Sequence, residues 1–209
     1  MTKISMSVVR RLPRYYRFLV DLSNSGTVRI SSRELSERMG LTASQIRQDL
    51  NCFGGFGQQG YGYNVAQLRD EIGKILGRDK RFKCIIIGAG NLGRTLASHM
   101  NFDDRGFRLV GIFDSNEAFA GQLVAGMPIR HISGLDDFCR LEKPTIAVLC
   151  VPQDAAQALG EQLHELGIKG LWNFSHHDFS KNFSDMAVEN VHLGDSLMTL
   201  SYKVNDIVK

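Results

Sequence analysis

Three glycines at fixed spacing are the residues that most clearly could bind a cofactor. They belong to a G-x-G-x-x-G segment, Gly88-Ala89-Gly90-Asn91-Leu92-Gly93. In dinucleotide-binding folds the first glycine permits a tight turn and the second lets the backbone approach a pyrophosphate. The third glycine lets the helix pack closely on the strand. We therefore expect all six residues to form a cofactor-binding turn.

The sequence around these glycines has the context that the motif requires. Lys83 to Ile87 is a short apolar run typical of a strand buried on both faces, and residues 94–100 resemble a helix. A second strand, 108–114, ends in Asp114, 21 residues beyond the last glycine. Asp114 is expected to accept hydrogen bonds from ribose hydroxyls. Because Ser115 and Asn116 provide no arginine for a 2′-phosphate, NAD(H) is favoured over NADP(H).

The alternation of strand and helix continues to about residue 174. The pattern predicts a strand at 145–151, a helix at 154–166 and a strand at 170–174. This alternation indicates an α/β Rossmann domain with a doubly wound parallel sheet over residues 82–191. Ligands in such sheets lie beyond the carboxyl ends of the strands. Four further residues are therefore expected to line the nicotinamide end of the cleft: Val151, Pro152, Asn173 and Phe174.

The first 81 residues predict a winged helix-turn-helix domain. Apolar residues at helical spacing indicate a first helix, made of Leu12, Tyr15, Tyr16, Leu19 and Leu22. Ser31 or Ser32 is expected to cap a second helix, which Gly40 ends. Thr42 is expected to cap a third helix, over residues 43–52. Two short helices around a glycine turn are typical of a helix-turn-helix.

The third helix and the segment after it carry the features of a DNA-reading surface. Arginine and glutamine have donors and acceptors that match guanine and adenine edges in the major groove, although a solvated amphipathic helix would carry similar residues. Four aromatics alternate with glycines over residues 53–63, which suits a wing better than a flexible linker. The residues expected to contact DNA are Arg11, Arg14, Ser44, Gln45, Arg47, Gln48, Gln59, Gly60 and Tyr61, with the two arginines of the first helix binding phosphates.

Composition and charge agree with this division. Residues 1–81 hold 14 Lys and Arg against 7 Asp and Glu, whereas residues 82–209 hold 11 against 15, which suggests that the first part meets a polyanion. No apolar run approaches the roughly 20 residues that cross a bilayer, and no secretory h-region follows the N-terminus. We expect a cytoplasmic protein whose four cysteines are reduced. No metal site is expected, because His176 and His177 read as surface histidines.

Apolar residues spaced 4, 3, 4 and 3 apart mark the end of the chain, Leu193, Leu197, Leu200, Val204 and Ile207. Such a stripe could fold back on its own sheet. A terminal helix with a strong apolar seam is also a common dimer element, and helix-turn-helix proteins usually bind DNA as two-fold pairs. We favour a dimerisation helix over residues 192–209.

With both parts in view, the chain resembles the Rex family of redox-sensing transcriptional repressors over nearly its full length. The matching segments are Arg11-Leu12-Pro13-Arg14-Tyr15-Tyr16-Arg17, Gln45-Ile46-Arg47-Gln48-Asp49-Leu50, Phe53-Gly54-Gly55-Phe56-Gly57, Gly60-Tyr61-Gly62-Tyr63, the six-residue glycine segment, and Gly167-Ile168-Lys169-Gly170-Leu171-Trp172-Asn173-Phe174. The resemblance implies a homodimer with swapped C-terminal helices that binds palindromic operator DNA. It also implies that NADH releases the repressor, while NAD⁺ competes without releasing it.

Several positions depart from the family pattern. Gln48, Gln58 and Gln59 stand where relatives commonly carry basic residues, and each missing phosphate contact lowers the slope of log affinity against log salt by about 0.9. We therefore expect a shallower salt dependence than in relatives with a basic wing.

The resemblance also implies a switch network around Arg17, to which some relatives contribute a tyrosine and an aspartate at the positions of His99 and His192. With histidines there, Asp195 could supply the missing acid. Because histidine titrates near neutral pH, we expect switching to depend on pH.

The sequence is also compatible with two other functions. An NAD-dependent oxidoreductase would use the same glycine motif, but removing the first 81 residues leaves only a Rossmann core, with no second domain to hold a substrate. No His/Asp or Lys/Tyr pair stands out as a proton relay, so we predict no catalytic residue and no enzyme. The Rossmann part could also bind coenzyme A or serve only as a structural dimeriser.

Overall fold

The computed structural model describes residues 4–54, 57–58 and 61–208. The chain divides into two compact units, residues 1–79 and 80–209. The domain bounds that we expected, 1–81, 82–191 and 192–209, stay predictions.

The first unit contains five helices and three short strands among its described residues. The helices are α1 (Met6–Val9), α2 (Leu12–Asn24), α3 (Ser32–Met39), α4 (Ala43–Asn51) and α5 (Val65–Ile75). The strands are β1 (Arg29–Ile30), β2 (Gly57–Gln58) and β3 (Gly62–Asn64), which pair antiparallel in the order β1-β3-β2. The predicted winged helix-turn-helix is confirmed: α3 and α4 form the helix-turn-helix, and β2 and β3 form the hairpin of the wing. We did not predict α1 or α5.

Local capping explains where the two helices of the helix-turn-helix begin and end. Ser31 and Glu34 form a reciprocal capping box at the start of α3. Gly40 adopts a left-handed conformation with φ of 62° and ends α3. The hydroxyl of Thr42 accepts a hydrogen bond from the backbone N–H of Gln45 at 3.1 Å and so starts α4. The tight turn between the helices therefore follows from Gly40, which ends α3, and Thr42, which starts α4.

The second unit is built on a seven-stranded sheet. Its strands are β4 (Phe82–Ile87), β5 (Phe107–Asp114), β6 (Leu123–Val124), β7 (Met127–His131), β8 (Ile146–Leu149), β9 (Gly170–Asn173) and β10 (Ala187–Asn190). Their order is β10-β9-β8-β4-β5-β7-β6, and every pair is parallel except β6 with β7. Because the chain runs from β4 out through β5 and β7 and then returns to β8 on the other side of β4, the order reverses between β4 and β8.

Helices cover both faces of this sheet, as the predicted Rossmann domain requires. The helices of the second unit are α6 (Asn91–His99), α7 (Leu135–Glu142), α8 (Gln153–Glu165) and α9 (Leu193–Ile207). Leu135 of α7 and Leu163 of α8 pack in one core with Phe113, while Ala97 of α6 packs in the other core with Ile112. Helix α6 begins three residues before the start that we expected. Helix α7, strands β6 and β7, and the edge strand β10 were not predicted.

The C-terminal helix differs from all of these. The five side chains of its apolar stripe are between 44% and 82% exposed, and none of its described side chains is buried. The stripe therefore does not fold back on the chain's own sheet. Among the described residues, no helix is long and apolar enough to span a membrane.

The cysteines are free thiols, as expected. Burial raises the pKa of Cys84 and of Cys150 to about 12, and burial followed by the charge of Asp136 raises that of Cys139 to about 11. One of the two histidines was interpreted wrongly. His176 is exposed, but the ring of His177 packs edge-on against Phe179 at 4.5 Å, and its Nε2 atom is buried without a hydrogen-bond partner in the described structure.

Candidate nucleotide and nucleic-acid sites

The glycine turn follows β4 and is fixed by close backbone packing. Gly88 has a φ of 98°, and a Cβ atom there would lie 2.3 Å from the carbonyl oxygen of Cys150. A Cβ atom on Gly93 would lie only 1.9 Å from the carbonyl oxygen of Gly88. Both glycines are therefore required by the fold itself, because any side chain would collide with the backbone.

Gly90 is different. Its φ of −71° is accessible to any residue, and a Cβ atom there would meet nothing within 4 Å. Neither backbone strain nor packing within the chain explains a glycine at this position. The open space beside Gly90 is where a pyrophosphate would approach the backbone. The first N–H groups of α6, which starts at Asn91, have no partner within the helix and suit an anion there.

Asp114 connects the glycine turn to the end of β5. Its Oδ2 accepts a hydrogen bond from the backbone N–H of Ala89 at 2.6 Å, and its Oδ1 accepts one from the N–H of Asn116 at 2.8 Å. Each carboxylate oxygen can accept a further hydrogen bond. Asp114 can therefore hold the turn in place and still bind a ribose hydroxyl.

A cavity of about 300 Å³ lies at the carboxyl ends of β4, β5 and β8, at the point where the strand order reverses. The residues that line it are Ile87, Gly88, Gly90, Asp114, Ser115, Ile132, Cys150, Val151, Pro152, Ala155 and Leu159. The lining is mostly apolar, with a carboxylate and glycine backbone on one side. Such a cavity can hold a flat ring system and bind polar groups at its edge.

The other expected cofactor residues have different positions. Val151 and Pro152 line the cavity. Asn173 is fully buried, and its amide donates to the carbonyl oxygen of His177 at 2.6 Å and to Asn190 at 2.8 Å. The ring of Phe174 packs edge-on against that of Trp172, with 4.6 Å between the ring centroids. Asn173 thus organises the loop after β9, and its contact with a nicotinamide stays a prediction, as does that of Phe174.

The polar face of α4 is accessible. Ser44, Arg47 and Gln48 are exposed, and Gln45 is half-buried. Arg47 donates a hydrogen bond to the hydroxyl of Ser32 at 3.0 Å. Tyr61, directly before the returning wing strand β3, is 71% exposed. Gln59 and Gly60 lie outside the described residues, so their expected contacts at the tip of the wing stay predictions.

Asp49 is a buried carboxylate on the opposite side of α4. It accepts hydrogen bonds from Arg11 Nε at 2.6 Å, Arg11 Nη2 at 2.7 Å, Tyr15 Oη at 2.8 Å and Gln45 Nε2 at 2.8 Å. Burial alone would raise the pKa of Asp49, but the hydrogen bonds from Arg11, Tyr15 and Gln45 outweigh it and lower the pKa below its usual value. Burial and the neighbouring carboxylate raise the pKa of Tyr15. The carboxylate is therefore ionised and fully hydrogen-bonded.

This arrangement changes how the first arginines must be interpreted. Arg11 forms a bidentate pair with Asp49, and its own side chain is only 28% exposed. Arg14 donates a hydrogen bond to the backbone carbonyl of Met39, at the end of α3. Both arginines, which we expected on phosphates, thus connect α2 to the helix-turn-helix.

The expected switch residues are distributed over both units. Arg17 is exposed on α2 in the first unit. His99 is the last residue of α6, and its Nδ1 lies 3.2 Å from the carbonyl oxygen of Thr95. His192 occupies the position before α9 without a capping hydrogen bond from its side chain, and Asp195 lies in the first turn of that helix. Whether Arg17 meets these residues stays a prediction.

Sequence reasoning missed the role of Asp49 and several residues that line the cavity. The signal for Asp49 was available: it shares one helical face with Ile46, Leu50 and Phe53, so an acid occupies a core position. The cavity residues Ile132 and Leu159 lacked such a signal, because they reach the site only through the packing of α8 and the segment after β7.

The chain thus combines a winged helix-turn-helix unit with a Rossmann unit of the dinucleotide-binding type. Residues 3–51 match the family described as "Putative DNA-binding protein N-terminus", and residues 79–177 match the family described as "CoA binding domain". The second match keeps coenzyme A among the ligands to be tested.

Over nearly its whole length, the chain is similar to proteins of one kind. It is 53% identical to the redox-sensing transcriptional repressor Rex of Thermoanaerobacter pseudethanolicus, over 98% of this chain and 91% of the relative. It is 54% identical to the protein of the same description from Caldicellulosiruptor saccharolyticus, over 97% and 92% of the two chains. The chain belongs to the Rex family of redox-sensing transcriptional repressors.

Solved structures agree with this assignment. The fold matches RSP in complex with β-NAD⁺ and operator DNA with a TM-score of 0.92 and 51% identity, covering 99% of this chain and 94% of that one. It also matches RSP in complex with β-NADH with a TM-score of 0.90 and 48% identity, covering 99% and 96%. In the first of these two structures, RSP binds NAD⁺ and operator DNA together.

Proposed function

We propose that this chain is a transcriptional repressor that binds palindromic operator DNA as a homodimer and is released by NADH. NAD⁺ competes for the same site without causing release, so transcription follows the ratio of NADH to NAD⁺. The observation that carries the proposal is the presence of two binding surfaces in one chain: the exposed polar face of α4 and the open glycine turn over the cavity.

The geometry of the glycine turn supports NAD(H) as the effector. The space beside Gly90 admits the pyrophosphate, and the N–H groups at the start of α6 face it. Asp114 accepts hydrogen bonds from the adenosine ribose, and no arginine follows it to bind a 2′-phosphate. Val151 and Pro152 hold the nicotinamide end through apolar contacts, together with Asn173 at the end of β9 and Phe174 directly after it.

The exposed stripe on α9 supports the homodimer. A contiguous row of exposed apolar side chains on a terminal helix marks an interface with another chain. A second copy is the partner, because a helix-turn-helix that reads a palindrome needs a two-fold mate. We propose that the helices are exchanged between the two copies.

DNA is contacted by the first unit. Ser44, Gln45, Arg47 and Gln48 read or approach bases in the major groove, and the wing residues Gln59, Gly60 and Tyr61 approach the adjacent minor groove. Arg14 binds a phosphate with the part of its guanidinium that Met39 leaves available. Because Gln48, Gln58 and Gln59 stand where relatives commonly carry basic residues, we expect a shallower salt dependence than in relatives with a basic wing.

Release requires a quantitative coupling between the two sites. A ligand shifts a two-state protein only by its differential affinity for the two states. A hundredfold loss of operator affinity needs about 2.7 kcal/mol of preferential NADH binding to the released state. We propose that the network of Arg17, His99, His192 and Asp195 supplies part of this difference.

The proposed activity is regulation rather than catalysis, and it is exercised in the cytoplasm. The family's members are named as repressors. The second unit is built on one Rossmann-type sheet. Incubation with NAD⁺ and a panel of alcohols and hydroxy acids is expected to give no NADH absorbance, and turnover would overrule the proposal.

Calorimetry tests the ligand directly. Titration of the full chain with NADH, NAD⁺ and coenzyme A is expected to give saturable binding of both nicotinamides and no binding of coenzyme A. A Gly90→Ala variant serves as the matched control, since the added methyl group occupies the space that the pyrophosphate needs. Preferential binding of coenzyme A would replace NAD(H) as the effector.

A further inference from the structure

The side-chain amide of Gln45 is oriented by Asp49 from within the protein. An ionised carboxylate only accepts hydrogen bonds, so it attracts the N–H side of the amide and repels the carbonyl oxygen. The Gln45 Nε2 atom lies 2.8 Å from Asp49 Oδ1, one turn along the same helix. The amide then keeps one N–H donor and one carbonyl acceptor for another partner. That pair matches the N7 acceptor and the N6 donor of adenine in the major groove.

We propose that Asp49 is a positioning residue for operator reading, because it fixes the amide of Gln45 in the orientation that meets an adenine edge. The inference rests on the proposed binding of operator DNA. It adds the residue that sets base specificity from beneath the DNA-reading surface.

Asp49 is itself fixed by residues far away in the sequence. Arg11 and Tyr15, at the start of α2, hold its two oxygens, with Arg11 spanning both of them. A bidentate guanidinium–carboxylate pair is rigid in plane and direction. The orientation of the Gln45 amide is therefore fixed by α2 as well as by its own helix.

The pair is poorly explained by stability alone. Asp49 is 0% exposed and lies among Ile46, Leu50 and other core residues. Replacement of buried ion pairs by apolar residues of similar size is often neutral or stabilising, because burial removes water from both charges. A charged group retained at this core position is consistent with a positioning role for the polar atoms above it.

The test compares two Asp→Asn substitutions in the same unit. Asp49→Asn and Asp70→Asn each remove one negative charge, but Asp70 is an exposed residue that pairs with Arg69 on α5. The operator is first selected from random DNA with the unaltered protein. Affinities for this operator and for unrelated DNA are then measured at one salt concentration, by fluorescence anisotropy. Failure of the unaltered protein to select any sequence would contradict the proposed function itself.

For Asp49→Asn, we expect the ratio of operator to unrelated-DNA affinity to fall about tenfold, which is within the range of one bidentate base contact. The loss should be confined to substitutions at one adenine per half-site, where the variant no longer discriminates. Asp70→Asn should keep the full ratio. An unchanged ratio and base profile in a folded Asp49→Asn variant would overturn the proposal.

A second variant covers the possibility that Asp49→Asn does not fold. Gln45→Met leaves the contacts of Asp49 with Arg11 and Tyr15 in place and removes only the amide. It should lose discrimination at the same single base pair, about tenfold. Where both singles fold, the double variant should lose no more than Gln45→Met alone, because both changes act through one amide. Full discrimination by Gln45→Met, or additive losses, would contradict the assignment.

Discussion

The glycine turn of the second unit and the polar face of α4 in the first unit are both binding surfaces, but the turn presents backbone groups and α4 presents side chains. The turn offers backbone N–H groups and open space beside Gly90. On α4, the side chains are already engaged: Gln45 contacts Asp49, and Arg47 contacts Ser32. A backbone site is therefore ready as soon as the local turn has formed, whereas a side-chain site depends on neighbours elsewhere in the fold.

The largest expected effect comes from disrupting the dimer through the C-terminal helix α9, because operator binding depends on two copies of the chain. Replacing Leu197 and Leu200 by Glu places two charges in the apolar stripe, where both residues are exposed in the single chain. We expect a monomer by light scattering and an operator affinity reduced more than a hundredfold, since two half-sites must be bound together. Ser201→Glu, another exposed position of α9, is the control and should remain dimeric. A dimer that survives the double substitution would refute the role of this stripe.

Substituting Gly90 and Gly93 by Ala should affect different properties: ligand affinity at Gly90 and stability at Gly93. Gly90→Ala is expected to leave the melting temperature unchanged but to weaken NADH binding about a hundredfold, because its methyl group takes the place of a phosphate. Gly93→Ala should destabilise the second unit by about 3 kcal/mol or more, because its Cβ atom would overlap the carbonyl oxygen of Gly88. Calorimetric binding and thermal unfolding measure both. Tight NADH binding by Gly90→Ala would show that the space beside Gly90 does not hold the pyrophosphate.

A smaller effect on operator affinity is expected from Arg11, which is paired with Asp49. In a variant with Arg11→Gln and Asp49→Asn together, net charge is conserved and no buried charge is left alone. We expect operator affinity to fall about tenfold while the slope of log affinity against log salt is unchanged, because Asp49 already neutralises Arg11. Arg14→Gln should instead lower the magnitude of that slope by about 0.9. An equal drop in slope for both variants would assign a phosphate contact to Arg11.

The smallest expected effect is on pH. If His99 and His192 take part in switching, the NADH concentration that releases half of the operator should change several-fold between pH 6 and 8, because histidine titrates in this range. Replacing them with the residues of the relatives, His99→Tyr and His192→Asp, should flatten the profile. A flat profile in the unaltered protein would exclude these histidines from the switch.

The sequence predicted the local parts of the molecule best. The glycine spacing, the caps at Ser31 and Thr42, and the continuous apolar run of β4 each follow from residues a few positions apart. The core position of Asp49 could have been seen in the local pattern, but its role could not, because its partner Arg11 lies 38 residues away. Edge strand β10 was missed as well, since its four residues alternate only weakly between half-buried and exposed.

The central claim is that one chain reads DNA with its first unit and loses that DNA when its second unit binds NADH. A gel shift on the selected palindrome measures this directly, with NADH added alone and with excess NAD⁺. We predict that NADH dissociates the complex progressively and that NAD⁺ shifts the release to higher NADH concentrations while leaving the complex intact by itself. A complex that stays bound at saturating NADH would contradict the account.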